Sequence, residues 1–232
     1  MSERLTHIVF PLFDGVTQLD FTAPHQVFGR VPSVRVTVAS LGGRDIKVDG
    51  LAFSDVADLR AVETCDVLCV PGGSGTNAAM LDEDFMREIR RLAGIAEYQT
   101  SVCTGALILG AAGLLRGKRA TTHWASRDFL KPFGAIVEDG RVVRDGNVIT
   151  GGGVTAGLDF ALVVIAEIFG RHVAESVQLS VEYAPAPPFE AGRPERLPAE
   201  TVERVRSGMS DVLKARRAAV EEAVRRLQAP AM

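Results

Sequence analysis

The chain has 232 residues, 47% of them hydrophobic and 24% charged, a balance that buries a sizeable core without metal or disulfide staples. A net charge of −3 is too mild to mark nucleic acid or an anionic membrane as a partner. Three irregularly spaced cysteines argue against a disulfide framework and fit a reducing cytoplasm.

The length suits one large α/β domain, 1–192, with a helical extension over 193–232. The start, Met1-Ser-Glu-Arg-Leu-Thr-His7, shows no signal-peptide cleavage pattern, and no stretch has the apolar length of a membrane span. Short β-rich runs predict strands over 7–10, 34–39, 66–70 and 98–102, alternating with helices over 21–30, 83–96 and 104–115. In the second helix Phe85, Ile89, Leu92 and Ala96 recur at helical spacing behind the acids Asp82, Glu83 and Asp84. Such alternation predicts a doubly wound, mostly parallel sheet with helices on both faces.

Next come three short strands, 135–137, 141–144 and 147–150, separated by Asp139-Gly140 and Asp145-Gly146 and expected to form a small β-meander. Gly151-Gly152-Gly153 leads into an apolar helix over 155–169, and after Tyr183 the run Ala-Pro-Ala-Pro-Pro-Phe189 is extended. From 198 to 227 one charged amphipathic helix is predicted, with Val202, Val205, Met209, Val212, Val220, Val224 and Leu227 along a stripe. That stripe suits either packing on its own core or a dimer contact. Arg204, Arg206, Arg216, Arg217, Arg225 and Arg226 are interleaved with acids and read as a solvated face.

Cys103, in Ser101-Val-Cys-Thr-Gly105, falls where a strand turns into a helix. A sharp turn there projects the side chain as in a nucleophile elbow, and the helix N-terminus is expected to lower the thiol pKa. The bland alternative is a buried structural cysteine. Cys65 and Cys69 have no helix opening beside them and read as core, and no further ligands stand at spacing suited to zinc.

A cysteine hydrolase pairs its thiol with histidine, yet Thr104, not His, follows Cys103. His7 and His172 read as structural or exposed, His25 lies in a helix, and His123 suits capping or lining a pocket. Asp20, between the first strand and first helix, should reach the same crevice as Cys103. Its competing role is a helix N-cap followed by Pro24. Backbone N–H groups of Pro71-Gly72-Gly73-Ser74-Gly75 could face developing negative charge. Gly73–Ala78 and Gly151–Ala156 fit the letters of a dinucleotide fingerprint but lack the acid that would hold a ribose.

Together the Pro-Gly-Gly-Ser-Gly loop, the Cys103-Thr104-Gly105 elbow and Ala120-Thr-Thr-His-Trp124 resemble the DJ-1/PfpI superfamily. Gln18-Leu-Asp-Phe-Thr-Ala-Pro-His25, 114–124, 151–160 and Glu182-Tyr-Ala-Pro-Ala-Pro-Pro-Phe189 narrow the likeness to its isonitrile-hydrating branch. That resemblance implies a flavodoxin-like fold, a homodimer, and hydration of a small isonitrile to an N-substituted formamide without metal or organic cofactor. It implies Cys103 as nucleophile, Asp20 as general acid/base where many relatives use a glutamate, and Thr104 as polar support. Gly72 and Gly73 would serve as backbone donors, with Gly152, Gly153 and Val154 shaping the site. The rival readings are glyoxalase- or hydrolase-type work on reactive carbonyls, and a non-catalytic ligand sensor. The stretch after Pro198 is too short for a helix-turn-helix module.

Overall fold

A computed structural model of the chain describes residues 5–229. In chain order its elements are β1 (Thr6–Leu12), α1 (Leu19–Phe28), β2 (Val34–Ser40), β3 (Ile46–Val48), β4 (Leu51–Phe53), β5 (Ala57–Asp58) and β6 (Val67–Val70). There follow α2 (Thr76–Ala79), α3 (Glu83–Ile95), β7 (Tyr98–Val102), α4 (Gly105–Ala111), β8 (Arg119–Ala120), β9 (Ile136–Val137), β10 (Val142–Asp145) and β11 (Val148–Gly151). Helices α5 (Ala156–Phe169), α6 (Arg171–Ser180), α7 (Ala199–Ser207) and α8 (Ser210–Gln228) complete the chain.

Among the described residues the main sheet runs β10-β11-β7-β6-β1-β2-β5, parallel throughout except for β10 against β11. Its central strands are apolar on both faces: Ile8, Val9, Phe10, Val67, Leu68, Cys69 and Val70 are all fully buried. A parallel strand covered by helices on both sides needs that composition. The chain moves outward from β1 to β2, then returns to the other side of β1 for β6 and β7. The switch in direction at β1/β6 leaves a crevice beyond the strands' carboxyl ends. This is the expected doubly wound, flavodoxin-like architecture.

Helix α3 shows how local sequence builds these layers. Asp82 caps it, accepting from Phe85 N at 3.0 Å, and Phe85, Met86, Ile89, Leu92 and Ala93 bury one face. The expected β-meander is corrected: β10 and β11 form a hairpin, but β9 pairs in parallel with β8 in a separate two-stranded sheet. A run of 3-10 helix, Trp124–Phe133, carries the chain back there, so Ile136 N reaches Lys118 O at 2.8 Å.

The single helix expected over 198–227 is two helices, because Gly208 ends α7. In α8, Ala219, Val220 and Ala223 pack into the chain's own core, while Val205 of α7 and Val212 at the start of α8 are exposed. The solvated-face reading of the arginines fails at Arg216, which is buried. Arg206 and Arg217 lie over the rings of Trp124 and Phe129.

Candidate active site

Three loops meet at the crevice, following β1, β6 and β7, and they bring Asp20, Gly72-Gly73 and Cys103-Thr104 together. Cys103 sits between β7 and α4 with φ of 55°, a left-handed backbone that a residue with a Cβ rarely adopts. Its N–H donates to Gly152 O at 2.8 Å and its carbonyl accepts from Thr122 Oγ1 at 2.6 Å. The next turn is tight enough that a Cβ on Gly105 would lie 2.1 Å from Val70 O. The elbow is therefore held from both sides.

Asp20 is fully buried in the first turn of α1, where Gln18 rather than Asp20 occupies the N-cap position. Free of the capping role, its Oδ2 accepts from Gly72 N at 3.0 Å. Oδ1 is buried without a hydrogen-bond partner among the described residues. Burial pushes the Asp20 carboxyl up to about 7, with contact to the Cys103 thiol and the Gly72 N–H pulling the other way.

Cys103 is 5% exposed. The expected lowering of its pKa by the helix N-terminus does not prevail. Burial first, and the neighbouring Asp20 carboxyl second, push the thiol well above its ordinary value. Backbone N–H groups of Val154 and Thr104 act in the opposite sense, favouring the thiolate. Val154 thus reaches the sulfur through its backbone. Cys65 and Cys69 are buried thiols too, and burial pushes Cys65 up to about 12.

Thr104 does not point a free hydroxyl at the cleft. Its Oγ1 accepts from Gly73 N at 2.9 Å and lies 2.9 Å from Thr76 Oγ1, so it anchors the glycine loop to the elbow. A Cβ on Gly72 would come within 2.4 Å of Thr104 N and 3.0 Å of Asp20 Oδ2, which only glycine avoids. Gly152 and Gly153, directly after β11, form a wall beside the elbow. A Cβ on Gly153 would meet His123 Cδ2 at 2.8 Å.

A cleft of about 230 Å³ adjoins this wall, lined by His123, Trp124, Arg127, Arg141, Val154 and Thr155 among others. His123 takes both roles foreseen for it. It caps the 3-10 run, accepting from Ala125 N at 3.3 Å, and it lines the cleft. Burial, with Arg216 and Arg127 nearby, holds its pKa below the usual value. His7 is buried between Thr64 and Thr37, each at 2.8 Å, while His25 and His172 are exposed. No described histidine hydrogen-bonds Cys103. No group of three metal-ligating side chains occurs among the described residues, and no helix there is long and apolar enough to cross a membrane.

The sequence reading missed Thr76, Thr122 and Arg216. A threonine in a polar or glycine-rich loop is a weak signal, and an arginine within a charged helix is none at all.

Residues 6–167 match the family model described as "DJ-1/PfpI family". The chain belongs to the DJ-1/PfpI family. Within it, the isonitrile hydratase of Pseudomonas putida is 47% identical over 224 residues, covering 95% of this chain and 97% of that protein. A THiJ/PfpI family protein from Pseudomonas syringae superposes with a TM-score of 0.89 at 40% identity, over 93% of this chain and 90% of that one. Drosophila melanogaster DJ-1beta has the same fold, with a TM-score of 0.67 at 24% identity over 78% of this chain.

Proposed function

We infer that this protein is an enzyme that hydrates isonitriles to N-substituted formamides, a hydro-lyase with Cys103 as nucleophile. The observation that carries the reading is the buried pair of Cys103 and Asp20 without a histidine, in a chain 47% identical to an isonitrile hydratase across almost its whole length. A carboxyl titrating near neutrality is available in both protonation states, which a combined general base and acid requires.

The steps follow from those groups. Asp20 in its carboxylate form takes the thiol proton as Cys103 Sγ attacks the terminal carbon of R–N≡C. The same proton passes to that carbon, leaving the thioimidate R–N=CH–S–Cys103. No standing thiolate is needed, in keeping with the raised thiol pKa. Asp20 then takes a proton from water as the oxygen adds to the carbon, and passes it to the nitrogen, returning to its carboxylate form. The tetrahedral adduct R–NH–CH(OH)–S–Cys103 collapses: its hydroxyl proton returns to sulfur through Asp20, the C–S bond breaks, and R–NH–CHO leaves. The sum is isonitrile plus water.

In this reading Thr104 holds the loop, Gly72 steadies the Asp20 carboxylate, and the Val154 N–H stabilises negative charge on sulfur. Gly73, Gly152 and Gly153 let these backbones approach closely. The group R would lie in the cleft beside Trp124. The same reading includes a homodimer in the cytoplasm, in keeping with free, buried cysteines.

The test is turnover of a simple alkyl isonitrile with formamide quantified. Wild type should convert it stoichiometrically, Cys103→Ala should not, and Asp20→Asn should lose at least about a hundredfold in kcat. Conversion unchanged in Cys103→Ala would sink the mechanism. Turnover of glyoxals in place of isonitriles would return the carbonyl reading.

A further inference from the structure

Arg216 lies mid-way along α8, in sequence far beyond residue 167 where the family match ends. It is 5% exposed. Its Nε donates to Asn77 Oδ1 at 3.1 Å, Nη1 to Ser126 Oγ at 2.8 Å, and Nη2 to Gly73 O at 3.5 Å. All three acceptors are neutral, and no carboxylate pairs with it among the described residues. A guanidinium keeps its charge in any protein setting, and burying one without an opposite charge is costly. A structural clamp would be better served by a neutral side chain, so the retained charge calls for a reason.

The reason lies one contact away. The Gly73 carbonyl that Arg216 grips also accepts from Thr104 Oγ1 at 3.3 Å, and Thr104 directly follows Cys103. Asp20 from α1 is the charged neighbour of the sulfur and Arg216 from α8 acts electrostatically on it, while His123, at the head of the 3-10 run, lies near both Arg216 and Arg127. Arg127 is paired with Asp139, and the burial of His123 favours its neutral form. Arg216 is the fixed positive charge of the group without an acid of its own.

We propose that Arg216 is a positioning residue of the reaction: it clamps the Gly73 loop onto Thr104 and supplies the positive charge that balances the site when Cys103 loses its proton. The inference rests on Cys103 as the nucleophile. It makes α8 part of the active site rather than an appendage beside it.

The test uses the full-length chain with two readouts. The first is the pH dependence of Cys103 alkylation by iodoacetamide, followed by peptide mass spectrometry so that Cys65 and Cys69 do not contribute. The second is kcat for isonitrile hydration. Arg216→Met should move the alkylation midpoint up by about one pH unit or more and lower kcat by at least roughly tenfold. Arg216→Lys keeps the charge but not the fork, so it should hold the midpoint and still lose about tenfold in kcat.

A folded Arg216→Met with a wild-type midpoint overturns the charge role, and Arg216→Lys with wild-type kcat overturns the clamp. If Arg216→Met does not fold, Arg216→Lys decides alone: loss of kcat at an unchanged midpoint supports the proposal, and any other result overturns it. Alkylation needs no isonitrile, so the charge role stands or falls separately from the substrate assignment.

Discussion

A carboxyl group with no solvent exposure and one backbone donor resists ionisation, and Asp20 does so up to about 7. Because the folded pKa lies above the unfolded value, the folded state binds more protons across the interval between them. Stability from this group is therefore present below the unfolded value and is lost as pH rises toward 7. Asp20→Asn removes the buried charge and keeps an acceptor for Gly72 N. At pH 8 it should be more stable than wild type by roughly 2–4 kcal/mol, and calorimetry at pH 5 and pH 8 should show the larger advantage at the higher pH. In the wild-type enzyme kcat/KM should rise with pH to an apparent pKa near 7, a value belonging to the Asp20–Cys103 pair. A flat profile between pH 5.5 and 8.5 would contradict the general-base role. Gly72→Ala sets a Cβ against Thr104 N, so it should cost about 1–3 kcal/mol and displace both Thr104 and Asp20; chemical denaturation and turnover on one preparation would show it. Residue types were legible in the chain, since Cys103 beside Gly105 announces an elbow. Arg216 was not, because an arginine in a charged helix carries no mark of burial.

Elements that rely on local pattern came through, and those that rely on distant partners did not. The strand over 98–102 and helix α3 are specified by β-branched composition and by an Asp82 cap over apolar spacing. The meander failed because strand pairing is a long-range choice: Ile136–Val137 found β8 rather than the strand next in sequence. In the C-terminal segment the apolar stripe packs on the chain's own core around Val220 of α8, whereas Val205 of α7 and Val212 at the start of α8 stay exposed. Helix α8 is held by Val220, which is 1% exposed. Val220→Ala deletes two buried carbons and should destabilise by about 1–3 kcal/mol. If α8 positions Arg216, thermal melts of this variant should also show kcat falling before global unfolding.

For the whole molecule, the order β10-β11-β7-β6-β1-β2-β5 gathers three loops, distant in sequence, at one end of the sheet. That convergence, not any one motif, makes the site. The homodimer should appear in sedimentation as a species of twice the chain mass at micromolar concentration; a monomer across that range would remove it from the reading. The sequence alone determined the alternating layers, the strand-to-helix elbow at Cys103 and the acid that follows β1, because periodicity and turn chemistry are written locally. Only the tertiary structure decided that Asp20 is no cap, that Thr104 serves the loop, and that burial rather than the helix end dominates the titration of Cys103. It also carried Arg216 from the far end of the chain to the Gly73 carbonyl. Burial and electrostatic environment are properties of what packs around a residue, and no neighbour in sequence records them.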